Sequence, residues 1–200
     1  MTTIRSDRAR SPRKVSGRDG RPSRRCTGFS LLEVTVAITV LTIAVVGATG
    51  SIIAGDKLQR VNRDSALAED AVRQALESMR GSDISTTFAR FNATNTDDPG
   101  GVVSPGSTFD VPGLRSPPTN AGAPVGRIVF PTFFNGATLE LREDFVDAEL
   151  GMPADLNGDG AIDGADHSGD YRVLPVRVQV QWFGALGTRT LTVETVLWNR

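Results

Sequence analysis

The sequence predicts an α+β protein: a long N-terminal helix, membrane-spanning and then amphipathic, packed on a C-terminal antiparallel β-sheet. Three observations predict it. From Val34 to Gly55 the chain passes 22 positions without a charged side chain. It then enters a segment of helical periodicity that ends at Gly81. Near the C-terminus, two alternating segments flank Gly184-Ala185-Leu186-Gly187, the pattern of a β-hairpin. At 200 residues, 39% hydrophobic and 22% charged, the chain holds about one domain's worth of core-forming sequence and is not wholly disordered. Gly and Pro number 21 and 11, so much of it must be loop.

The net charge of -1 conceals a split. Residues 1–28 carry eight Arg and one Lys against Asp7 and Asp19, a net of +7, and the remaining 172 residues therefore carry -8. A uniformly basic nucleic-acid binder is excluded by that distribution, and no nucleic-acid partner is indicated. Cys26 is the single cysteine and His167 the single histidine. Counting alone excludes a disulfide framework, a Cys/His zinc centre and most histidine-based triads. No nucleophile motif or acid/base pair is recognisable either, so the chain does not read as an enzyme.

The uncharged run VTVAITVLTIAVVGATGSIIAG is long enough to cross a hydrocarbon core of about 30 Å at about 1.5 Å per residue. A basic block in front of a membrane helix stays cytoplasmic, which places the leader 1–28 inside and the acidic bulk outside. No cleavage signal of the secretory kind follows Gly55. Instead the apolar residues Leu58, Val61, Ala68, Val72, Ala75, Leu76 and Met79 recur mostly three or four apart. The expected layout is thus a membrane helix over 29–55 and its amphipathic continuation over 56–81. Unbroken from Phe29 to Arg80, that helix would have 52 residues and a length of roughly 78 Å. Gly47 and Gly50 are where it is expected to bend.

At the junction of basic block and apolar run stands Gly28-Phe29-Ser30-Leu31-Leu32-Glu33-Val34. It resembles the processing site of type IV pilins and of type II secretion pseudopilins. The resemblance implies cutting after Gly28 by a prepilin peptidase, N-methylation of Phe29, and an assembly role for Glu33, the fifth residue of the mature chain. It also implies other pilin or pseudopilin subunits, a motor ATPase, inner-membrane assembly machinery and membrane lipid as partners. The expected location is the inner membrane, single-pass, with the C-terminal domain periplasmic and then part of a periplasmic or extracellular filament. Thr27 departs from the Lys or Arg common before that glycine, although Arg24 and Arg25 are near. Cys26 precedes the cut and reads as an inert leader residue. Independently of the resemblance, a carboxylate inside a membrane helix costs about 2.5–3.5 kcal/mol and needs a partner. The amine that the implied cut would free at Phe29, one turn away, is such a partner, offered to a neighbouring subunit.

Residues 82–126 are rich in Thr, Asn, Asp, Gly, Pro and Ser and predict a long loop with a helical turn near Phe88 to Phe91 and little core. Strand signals begin at Arg127 to Phe130, continue at Ala137 to Arg142, and culminate in Tyr171 to Trp182 and Thr190 to Trp198. The sheet of 127–200 is expected to turn one apolar face to the helix, with Pro175 at the start or edge of its strand and both Trp182 and Trp198 in the core. The closing hairpin resembles the C-terminal halves of minor pilins and minor pseudopilins.

The segment 155–166, DLNGDGAIDGAD, follows a calcium-loop spacing. Asp155, Asn157, Asp159, Asp163 and Asp166 offer side-chain oxygens at loop positions 1, 3, 5, 9 and 12, and Ala161 offers its carbonyl at position 7. A hard cation needs six or more converging oxygens, and this short segment supplies them. The segment looks like the isolated calcium loop of dockerin-type repeats, present once, with Asp166 where a bidentate Glu is commoner. His167 reads as an exposed turn residue rather than a ligand. Two functions compete: a non-catalytic minor pilin or pseudopilin subunit of a type IV pilus or type II secretion filament, and a membrane-anchored, calcium-dependent surface binding protein that does not polymerise. The Gly28-Phe29…Glu33 combination favours the first, because a simple anchor needs neither a cytoplasmic cut site nor an intramembrane Glu.

Overall fold

The computed structural model describes residues 28–99 and 104–198. The basic leader up to Thr27, Cys26 included, lies outside the described residues. The fold is α+β: a long apolar N-terminal helix, α1 (Leu31–Arg80), and a C-terminal antiparallel sheet. The chain divides into two units between Gly47 and Ala48.

In the first unit the described residues all face solvent, Phe29, Leu31, Ile38, Leu41 and Ile43 among them. An 18-residue window of α1 qualifies by length and apolarity as a membrane span, and none of it is buried within the protein. The hydroxyls in this run are turned back on the helix. Thr35 donates to the Leu32 carbonyl, Thr39 to Thr35 and Thr42 to Ile38, each at 2.8 Å. Such back-bonding lets a threonine sit in hydrocarbon without an unsatisfied donor.

In the second unit α1 buries Val61, Ala68, Val72, Leu76 and Met79, while Ala71 and Ala75 pack at the margin of the core. Leu58 is exposed, contrary to the expected stripe; the buried face begins one turn later, at Val61. Facing that stripe is a four-stranded antiparallel sheet in the order β1 (Thr108–Phe109), β2 (Gly126–Val129), β5 (Val173–Gly184), β6 (Gly187–Trp198). A second ladder joins β3 (Thr132–Phe134) to β4 (Leu139–Leu141). From Val176 strand β5 alternates: Val176, Val178, Val180 and Trp182 are buried and Arg177, Gln179 and Gln181 are not, while Leu174 and Pro175 before them are both buried. Burying each aliphatic side chain of this row contributes about 1.5–3 kcal/mol. Gly184 pairs with Gly187, closing the hairpin over Ala185 and Leu186. Pro175 pairs only with Val196 of β6, outside the Arg177–Val180 stretch that β2 covers, so its missing N–H interrupts no second ladder.

Two further expectations are corrected. Trp198 is 63% exposed. It stands opposite Val173, one residue past the buried Leu174–Leu197 pair, and therefore points to the other face of the sheet. Residues 82–126 also contribute more than surface loop. They hold α2 (Ile84–Phe91), capped by Asp83 accepting from the Ser85 N–H at 3.0 Å, and they place Phe88, Phe91, Val111 and Val125 in the core. The Phe88 ring meets Phe130 edge to face at 5.5 Å.

Candidate functional site

Two places carry the site residues. The first is the start of α1. Ser30 accepts the Val34 N–H at 3.1 Å, so the helix begins directly behind Gly28 and Phe29. Phe29 is 82% exposed and Glu33 lies in the first turn, also exposed. A carboxylate in the first turn complements the positive end of the helix dipole.

Residues 23–49 match the family model for the prokaryotic N-terminal methylation motif. The chain carries a prepilin-type N-terminus. The matched segment contains Gly28, Phe29, Glu33 and most of the uncharged run, and it supports a type IV pilin-like protein. A prepilin-type motif followed by an apolar helix is consistent with a membrane-anchored, single-pass protein and with a structural rather than catalytic one. It implies, in general terms, contact with other pilin subunits and with a prepilin peptidase. No curated protein and no solved structure matches the chain.

The second place is the loop 155–166 on the sheet unit, together with the segment that leaves β4. Asp155 Oδ1 accepts the Gly158 N–H at 2.6 Å and Oδ2 accepts the Gly160 N–H at 2.8 Å. These bonds, that from Gly160 foremost, hold the Asp155 carboxyl below the usual carboxylate range. Asn157 Oδ1 accepts from Asp159 N, and Asp159 Oδ1 from Ala161 N, so successive side chains fold back on successive amides. Gly158 and Gly160 take φ of +78° and +89°, which is why the spacing needs glycine there. Asp155, Asn157, Asp159 and Ala161 therefore form one hydrogen-bonded turn.

Asp163 and Asp166 have other partners. Asp166 Oδ1 accepts from Leu141 N at 3.1 Å and Ser168 N at 3.0 Å, and Oδ2 from the Ser168 hydroxyl, which ties the loop to β4. Asp163 Oδ1 accepts from Ala165 N at 2.7 Å and lies 3.1 Å from His167 Nε2. The bond from Ala165, then that from His167, lowers its pKa.

His167 is buried, at 4% exposure, not the exposed turn residue its surroundings in sequence predict. Its Nδ1 lies 3.1 Å from Asp170 Oδ1, and its Nε2 lies 3.7 Å from Glu143 Oε2. Burial opposes a charge on the imidazole, but the hydrogen bonds to Asp163 and Asp170 and the Glu143 charge prevail, and its pKa is raised. Glu143 is the residue that spacing does not reveal. At 1% exposure, its Oε1 accepts from Leu156 N at 2.6 Å and Asn157 N at 3.2 Å, while Oε2 accepts from Asp163 N at 3.3 Å. One buried carboxylate thus clamps both ends of the loop.

Proposed function

We propose that the protein is a non-catalytic minor pilin or pseudopilin subunit of a type IV pilus or type II secretion filament, processed after Gly28 and assembled through its N-terminal helix. The observation that carries this is the methylation motif at 23–49 set on an uncharged helix whose surface is unburied within the subunit. In a filament or a bilayer that surface is covered by neighbouring helices or by lipid. The leader's +7 holds the N-terminus in the cytoplasm and sends the -8 remainder across the inner membrane to the periplasm.

Processing tests the reading. Co-expression with a prepilin peptidase is expected to shorten the chain by 28 residues, leaving N-methylated Phe29 at the new terminus by mass spectrometry. Gly28 replaced by a bulky residue is expected to leave the precursor uncut in the inner membrane. An intact Gly28-Phe29 bond in cells with active peptidase sinks the assignment.

The exported unit, in the same reading, binds one calcium ion in the loop 155–166. The donors are hard oxygens, and the turn already collects Asp155, Asn157 and Asp159 around glycines of positive φ. Asp155, Asn157, Asp159 and the Ala161 carbonyl would hold the ion, joined by Asp163 directly or through water and by Asp166. Bound there, calcium would stiffen the connection between β4 and the β5–β6 hairpin. It is a structural ion in this reading, with no reaction to serve.

A further inference from the structure

We propose that Glu143, Asp163 and His167 form a second cation site beside the calcium loop, suited to a divalent transition ion of the zinc type and oriented by Asp170; it shares Asp163 with the calcium loop, through the oxygen Oδ1 that faces His167. The site does not rest on the filament reading, since it needs only the sheet unit.

The ligand chemistry comes first. Glu143, Asp163 and His167 each offer one ligand atom, and these atoms lie within 4.8 Å of one another. The two separations from Nε2 are 3.1 Å to Asp163 and 3.7 Å to Glu143. A tetrahedral ion with bonds of about 2.0–2.1 Å to nitrogen and oxygen spaces its ligands roughly 3.3 Å apart. The observed pair brackets that edge, so small side-chain adjustments admit an ion at the apex.

The environment of the imidazole is the second, separate argument. Asp170 lies 3.1 Å from Nδ1 on one side of the ring, which leaves Nε2 facing two carboxylates on the other. Histidine ligands are commonly fixed in this way, a carboxylate accepting the ring N–H on the far side from the metal. A metal bound at Nε2 would stand where the ring otherwise meets Asp163 and Glu143 directly. Glu143 and His167 are each more than nine-tenths buried, so neither is there as a solvated surface charge. Asp163, with half of its side chain exposed, opens the site to solvent and leaves room for water as a fourth ligand. An imidazole nitrogen favours zinc-type ions over calcium, which prefers oxygen throughout.

The test uses the full chain in detergent with Cys26→Ser, which removes its single thiol, after treatment with chelator. Zinc calorimetry and the visible spectrum of the cobalt-substituted protein are the readouts, with calcium calorimetry in parallel. One zinc per chain and tetrahedral-type cobalt bands are expected. His167→Gln is expected to weaken zinc at least about 100-fold, and Asp170→Asn, at a side chain 60% exposed, by about 10–100-fold, both leaving calcium binding in place. Asp155→Ala is expected to abolish calcium binding and spare zinc. No saturable zinc binding to the parent protein below about 100 µM overturns the proposal. So does zinc affinity unchanged in both His167→Gln and Asp170→Asn.

Discussion

Asp155 illustrates what a single residue in this loop does before any ion arrives. Both of its oxygens accept loop amides, and these bonds depress its pKa. A depressed carboxyl contributes stability that is present above its unfolded value of about 3.9 and is lost as pH falls through the lower folded value. The ionised form is also the one calcium requires. With millimolar calcium, the detergent-solubilised chain is therefore expected to melt at a higher temperature than with chelator, by an amount that follows RT ln(1 + [L]/Kd). A site of extracellular strength, Kd about 10⁻⁴–10⁻³ M, is substantially occupied under those conditions. Asp155→Ala and Asp159→Ala should each remove the difference, and magnesium should reproduce it poorly. Identical melts with chelator and calcium reduce the loop to a solvated turn. The residues of this turn were legible in the sequence because consecutive spacing encodes them. Glu143 was not, since it reaches Leu156 across 13 positions of chain that no local pattern connects. His167 misled for the opposite reason: polar, glycine-rich neighbours read as surface, and only tertiary pairing with Glu143 takes it inside.

At the scale of elements, periodicity was the reliable signal and mixed composition the unreliable one. The helix stripe from Val61 to Met79 and the alternation of β5 each repeat over several turns or pleats, so one aberrant residue does not spoil them. Helix α2 has eight residues and sits in a Thr/Ser/Asn-rich stretch, where composition argues for loop. Its cap at Asp83 and the spacing of Ile84, Phe88 and Phe91 are short-range cues that the surrounding polarity masks. What holds α2 is distant in sequence. The buried Tyr171 hydroxyl accepts from Phe88 N at 2.9 Å and donates to the Ile84 carbonyl, so it occupies the rung that these two groups would otherwise share. Tyr171→Phe removes the bridge and leaves the rung to close directly or remain open. A loss of about 1 kcal/mol is expected, read as a lower melting midpoint with faster amide exchange in α2 than in β5. Unchanged exchange at Phe88 would show that the bridge contributes nothing.

The whole molecule joins two contrasting parts: an apolar stretch of helix whose described residues are exposed, and an acidic remainder that folds around its own core. Glu33 is where these requirements meet. Within a bilayer its charge costs about 2.5–3.5 kcal/mol, so membrane insertion alone would favour replacing it. In the proposed assembly, the amine of Phe29 on an adjoining subunit would offer an opposite charge, and one pair per neighbour would fix the axial register of otherwise slippery apolar helices. Insertion and assembly should therefore respond to the same substitution in opposite directions. Glu33→Ala and Glu33→Leu are expected to fractionate with the inner membrane at least as well as the parent chain and to be cut normally after Gly28. Both should be depleted several-fold from sheared or purified filaments when co-expressed with the remaining subunits. Glu33→Asp, which keeps the charge on a shorter arm, should recover part of the incorporation. If Glu33→Leu enters filaments at the parent level, register is set by the apolar surface alone and the carboxylate has no part in assembly.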